Sequence, residues 1–173
     1  MLPVVEDFIT RFGLEDFVVV ADAGLMNKAN LSLLQSGGYK YIIGARIKNE
    51  PAECQKWILS LHKQDGFYHE RRRENGRLII GYSEARAKKD RYNRDKGVKR
   101  LEKAYANGRI TKGNINRRGY NKFLEIADDI KVTISRERVV EDEKWDGLKG
   151  YITNTDLTPE EVCSQYNGLW VIE

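Results

Sequence analysis

The chain has 173 residues, of which 40% are hydrophobic and 32% charged, with a formal net charge of +4. That length allows one domain, or one domain carrying a large insertion, and the apolar share is enough for a real core. Two cysteines exclude a disulfide framework, no apolar run reaches the roughly 18 residues of a spanning helix, and no signal peptide opens the sequence, so composition points to a soluble cytoplasmic protein with no membrane partner.

Val4, Val5, Phe8, Ile9 and Phe12 recur at helical spacing, so residues 4–12 read as a short helix ended by Gly13. Phe17 to Ala21 is an apolar run suited to a buried strand, and it delivers Asp22 where the strand hands over to a loop. Gly24 then permits a tight turn. Residues 27–35 read as a helix carrying Leu31, Leu33 and Leu34, closed by Gly37 and Gly38, and residues 39–45 read as a second strand. This order predicts a right-handed parallel crossover and an α/β fold class. An Asp at the carboxyl end of such a strand lies where functional groups are presented, and it is also an ordinary turn or cap residue.

Beyond Arg46 the alternation breaks down. Residues 51–62 predict a helix with Pro51 near its first turn, and residues 67–73 and 77–83 bracket Glu74-Asn75-Gly76 as a hairpin. Residues 85–106 predict a charge-dense helix interrupted at Gly97, with Tyr92, Leu101, Ala104 and Tyr105 as its sparse apolar side. Residues 108–119 read as loop, 120–127 as a short helix, 131–139 as an exposed strand and 150–153 as a short strand. Thr158-Pro-Glu-Glu161 has the form of a helix start, with a Thr cap, Pro at the first position and Glu161 placed for a capping box. The helix it opens is expected to run to the end of the chain. It would place Tyr166 and Glu173 two turns apart on nearly the same face, with Leu169 between them. A Glu in that position is equally a solvated helix residue.

Charge is unevenly spread. Residues 1–83 carry 11 Lys/Arg against 10 Asp/Glu, residues 84–123 carry 14 against 4, and residues 124–173 carry 5 against 12. The central block suits a polyanion partner, because each cation that neutralises a phosphate releases a counterion; it also suits a solvated helix face. His62 and His69 lack the Cys or His spacing of a zinc site, and Trp57, Trp145 and Trp170 read as core residues.

Five segments follow one another in a recognisable order: Val20-Ala-Asp22-Ala-Gly-Leu-Met, Tyr41-Ile-Ile-Gly-Ala-Arg46, Tyr82-Ser-Glu-Ala-Arg-Ala-Lys-Lys-Asp90, Asp146-Gly-Leu-Lys-Gly-Tyr-Ile-Thr-Asn154, and Tyr166-x-x-Leu-Trp-x-Ile-Glu173. Together they resemble the catalytic domain of DDE transposases of bacterial insertion sequences, in the superfamily whose last catalytic helix carries a Tyr-x2-Arg-x3-Glu-x6-Lys signature. The resemblance covers nearly the whole chain. It implies an incomplete ribonuclease H-like core, lacking its first strands, with a large basic α+β insertion. Residues 1–47 would be the partial core, 48–157 the insertion and 158–173 the last catalytic helix.

Asp22 would be the second carboxylate of the catalytic triad and Glu173 the third, together holding Mg²⁺ or Mn²⁺ for in-line displacement at phosphorus. The first catalytic Asp has no counterpart, so the chain alone is expected not to cleave DNA. Leu169 stands at the signature's Arg position, and the signature's final Lys is absent. Tyr166 would contact a phosphate near the scissile bond. Arg71, Arg72, Arg73, Arg86, Lys88, Lys89, Arg91 and Arg94 are the candidate contacts to double-stranded DNA, on which the protein would act as a homodimer in the bacterial nucleoid. A non-catalytic nucleic-acid-binding remnant is the alternative.

Overall fold

A computed structural model describes residues 7, 9–13, 17–24, 28–127 and 131–169, and they form a mixed α/β arrangement. Helical residues 9–12 precede β1 (Val18–Ala21), α1 (Lys28–Ser36), β2 (Lys40–Ala45) and α2 (Ala52–Ser60). The hairpin of β3 (Tyr68–Arg73) and β4 (Gly76–Tyr82) follows, then α3 (Glu84–Ala106), β5 (Leu124–Ala127) and β6 (Lys131–Ile134). The chain continues through α4 (Arg136–Glu143) and β7 (Leu148–Thr153) to α5 (Pro159–Gly168). Two compact units result: Met1–Tyr82 with Lys149–Glu173, and Ser83–Leu148. No helix among the described residues is long and apolar enough to cross a membrane.

The first unit is built on a mixed five-stranded sheet in the order β1-β2-β7-β4-β3. β1 and β2 are parallel, with Val19 opposite Tyr41 and Ala21 opposite Ile43. β2 and β7 are antiparallel, as are β3 and β4. Side chains alternate across a strand, so an uninterrupted apolar run such as Val18–Ala21 feeds two cores at once. Val18, Val20 and Ile42 join Ile79, Tyr151, Val162 and Tyr166 in one cluster, which includes the apolar stripe of α5. Val19, Tyr41 and Ile43 join Leu34 and Leu31 of α1 in another. Leu34, Ile42, Leu78 and Ile79 are each 0% exposed. Burying such a side chain contributes about 1.5–3 kcal/mol, several times an exposed ion pair at roughly 0–1 kcal/mol, so the sheet core holds this unit together. Asn154 extends the β2–β7 ladder past its end: its Oδ1 accepts from the Tyr41 N–H at 2.9 Å and its Nδ2 donates to the Tyr39 carbonyl at 2.9 Å.

The second unit has its own core of Val98, Leu101, Phe123, Leu124 and Val132, formed by α3 and the β5–β6 hairpin. Ser83 caps α3, its hydroxyl accepting from the Arg86 N–H at 3.4 Å. The helix is unbroken through Gly97, which is buried, and the Tyr120 ring occupies the place a Cβ would take there.

Several expectations change. Residues 120–127 form a 3₁₀ turn over Gly119–Phe123 and then β5, since Phe123 and Leu124 are needed at adjacent core positions and a strand can pair with β6. The strand from Lys131 stops at Ile134: Ser135 caps α4 by accepting from the Arg138 N–H, so Val139 is helical. α2 begins with Pro51 as its N-cap and ends at Ser60, two residues before the predicted limit. The predicted insertion 48–157 does not coincide with a compact unit, because β3, β4 and most of β7 belong to the same sheet as β1 and β2. The capping box of Thr158 and Glu161 is present at the start of α5. Residues 170–173, including Glu173 and Trp170, lie outside the described residues.

Candidate functional site

β1 ends at buried Ala21, and the next residue, Asp22, is exposed at the carboxyl edge of the strand. Two donors meet on its Oδ1. The Ala23 N–H lies at 2.7 Å and the Tyr166 hydroxyl at 2.8 Å, the latter from 144 residues further along the chain. Tyr166 belongs to α5 and is 2% exposed, its ring packed with Ile42, Ile79, Tyr151 and Val162. To reach Asp22 it must pass against β2, and it does so at Gly44. A Cβ built there would stand 2.6 Å from Tyr166 Oη, 3.2 Å from its Cζ and 3.3 Å from the Ala23 nitrogen. Gly44 is therefore part of the site, which sequence reasoning missed. The available signal was a lone Gly inside an apolar strand, which marks a close approach by another group.

An aromatic and cationic layer backs the tyrosine. Tyr151 meets Tyr166 edge-on, with ring centroids 5.1 Å apart at 68°. Lys149 Nζ stands 4.3 Å from the Tyr166 centroid and 5.2 Å from that of Tyr151, within range of a cation–π attraction. The Tyr151 hydroxyl pairs with Cys163 Sγ at 3.2 Å, so this cysteine has a polar role as well as a packing one. Burial, and next the hydrogen bond to Cys163, push the Tyr151 phenol above its ordinary range. Tyr68, bonded to the same thiol, is pushed up to about 12 by that bond first and by burial second.

With Oδ1 occupied by two donors, Asp22 keeps Oδ2 without a partner among the described residues. No group of three or more His, Cys, Asp or Glu that could hold a metal occurs among those residues. Mg²⁺ commonly binds through one or two carboxylates together with waters and substrate phosphates, so this carboxylate, with one open oxygen, supplies one such ligand and no complete site. It does not fit a zinc or calcium cage, which needs more protein ligands.

The candidate phosphate contacts divide into three groups. Arg71 pairs with Glu53 at 2.7 Å, Arg73 with Glu50 at 2.7 Å, Arg86 with Asp90 at 3.6 Å, Lys88 with Glu84 at 3.8 Å, and Arg91 with Glu143 at 3.9 Å. The Arg71 pair is strong enough to hold the Glu53 carboxyl below the usual range, through the hydrogen bond first and the charge second. Arg72 and Lys89 are exposed with no carboxylate partner among the described residues. Arg94 is different in kind: its side chain is 4% exposed and its guanidinium is committed to Asp146 at 2.5 Å and Glu143 at 3.7 Å. It is an internal ion pair with no face left for a phosphate.

Comparison with protein-family models, curated proteins and solved structures returns no match.

Proposed function

We propose that the chain is part of the catalytic domain of a DDE transposase, with a ribonuclease H-like core. Its substrate would be double-stranded DNA at the ends of a mobile element, and its working form a homodimer on that DNA in the bacterial cytoplasm. The observation that carries this reading is the hydrogen bond from Tyr166 to Asp22. It joins the carboxyl end of the first described strand to the last described helix, the two places from which the resemblance takes carboxylates.

In this reading Asp22 and Glu173 would hold Mg²⁺ or Mn²⁺, which would supply activation of water or a DNA 3′-hydroxyl and stabilisation of the leaving oxygen. The chain's own residues set the carboxylate. Tyr166 and the Ala23 amide fix its rotamer by occupying Oδ1, so that Oδ2 is presented outward. Gly44 keeps that path open. Lys149, against the Tyr166 ring, adds positive charge beside the site, a role the signature gives to an Arg where this chain has Leu169. In this reading the chain supplies two of the three carboxylates and does not cleave DNA by itself. A non-catalytic nucleic-acid-binding remnant is the second reading, favoured by the surplus of 14 Lys/Arg over 4 Asp/Glu in residues 84–123.

Titration of Mn²⁺ followed by electron paramagnetic resonance separates the two. Binding by the native chain that disappears in Asp22→Asn supports the transposase reading. Equal uptake by both proteins removes it and leaves nucleic-acid binding alone. Mg²⁺-dependent nicking by the purified chain, lost in Asp22→Ala, would overturn the view that it is inactive alone.

A further inference from the structure

The two halves of α3 treat their charges differently. In the first half, Arg86, Lys88, Arg91 and Arg94 each have a carboxylate partner, and among the described residues Lys89 is the one cation there without one. In the second half, Lys96, Lys99, Arg100 and Lys103 are all exposed, and none has a carboxylate within ion-pair distance among the described residues. Residues at these spacings share one helix face, and with Tyr92 and Asp95 they line a groove of about 460 Å³. Tyr92 is 64% exposed, an unusual place for a large ring, and Lys96 Nζ stands 5.7 Å from its centroid. The opposite face of the helix is the buried one, with Arg94, Gly97, Val98 and Leu101, so the groove residues are not needed for the core.

From this arrangement we infer that the face of α3 from Tyr92 to Lys103 binds single-stranded nucleic acid, with Tyr92 stacking on a base and the four cations following the backbone. An exposed aromatic beside a cationic track is the equipment single strands require, because every unpaired base offers a π-face. A duplex keeps its bases stacked on one another and offers none. Lys96 to Lys103 spans about 10 Å of helix at 1.5 Å per residue, so the cations can follow a short run of backbone phosphates. Asp95 is the informative exception. In a track for phosphates alone it would repel the ligand, whereas beside a stacked base it can accept a hydrogen bond from an exocyclic amine, as a carboxylate does from cytosine.

The test measures fluorescence anisotropy of the full chain with labelled oligo-dC, oligo-dT and a duplex of mixed sequence, across about 50 to 200 mM salt. The expected order is oligo-dC first, oligo-dT second and duplex last. Tyr92→Ala is expected to weaken single-strand binding about tenfold. The triple change Lys99→Gln, Arg100→Gln and Lys103→Gln is expected to lower the salt slope by about two, at roughly 0.7 per neutralised phosphate. Asp95→Asn should narrow the gap between oligo-dC and oligo-dT. All five side chains are exposed, and an unchanged urea midpoint confirms that each variant folds. Duplex bound as tightly as single strands with Tyr92→Ala silent would overturn the inference, as would no salt-sensitive binding at all. The affinities are read without added metal, so this inference and the metal role of Asp22 fail separately.

Discussion

Replacing Gly44 by Ala tests whether the Tyr166–Asp22 contact shapes the site. In an ordinary strand Ala is favoured over Gly by about 0.5–1 kcal/mol, because Gly loses more backbone freedom on folding. Here the new methyl would lie 2.6 Å from Tyr166 Oη and 3.3 Å from the Ala23 nitrogen. Such overpacking costs about 1–3 kcal/mol, which exceeds the propensity gain, so Gly44→Ala should destabilise by about 1 kcal/mol. With a urea m-value near 2 kcal/mol/M, the midpoint falls by about 0.5 M. Tyr166→Phe removes the nearest clashing atom along with a hydrogen bond to an exposed carboxylate, at a cost of about 1 kcal/mol. In that background Gly44→Ala should become close to neutral. The four proteins form a double-mutant cycle with an expected coupling of about 1 kcal/mol. Urea unfolding followed by tryptophan fluorescence, with unchanged m-values, measures it. Additivity to within about 0.4 kcal/mol would refute the packing argument, because it would mean that Tyr166 does not occupy the space above Gly44.

Removing the closer partner of the buried pair, as in Asp146→Ala, leaves the Arg94 guanidinium at 4% exposure with Glu143 at 3.7 Å and should cost about 3 kcal/mol. Arg94→Met combined with Asp146→Leu should recover most of that loss in the same unfolding assay. Gly97→Ala reverses the usual helix preference: the roughly 1 kcal/mol that favours Ala is outweighed by the clash with the Tyr120 ring, and thermal unfolding should show a lower midpoint. At high pH, Tyr68 and Tyr151 retain protons in the folded state that the unfolded chain loses near 10. Their contribution is therefore complete below about pH 10 and is lost as pH rises through about 12 for Tyr68. Unfolding midpoints should fall across that window, and Cys163→Ala, which removes the shared hydrogen-bond partner, should make the fall shallower.

The parts of the fold that depend on neighbours in sequence were legible. The β1–α1–β2 unit follows from an apolar run, a Leu-bearing segment and Gly37-Gly38, and the start of α5 follows from four consecutive residues. What depended on distant partners was not. Val132 and Ile134 alternate as a strand does, but the alternation alone could not show that Ser135 would cap a helix beyond them. Gly97 looked like a helix break because the ring that needs it comes from Tyr120. Arg94 looked like its charged neighbours because Asp146 lies 52 residues away. At the site itself, Asp22 stood out by its place after a strand, whereas Gly44 and Lys149 gained meaning only when Tyr166 was seen between them.

The chain leaves β4 at Tyr82 and returns to the neighbouring strand β7 only after the whole of Ser83–Leu148 has been completed. At the base of that excursion the Ser83 N–H donates to the Gly147 carbonyl at 3.0 Å. Closing a loop of roughly 60 residues costs on the order of 4 kcal/mol in chain entropy, and a unit with its own core and its ends pinned together meets that cost internally. To the sheet, the excursion amounts to a single turn between adjacent strands. Such a join permits exchange: another compact piece with matching ends, or a short connection, could replace it and leave Asp22, Gly44 and Tyr166 where they are. The basic surface and the carboxylate site can then diverge at independent rates, as separately inherited parts joined at two peptide bonds.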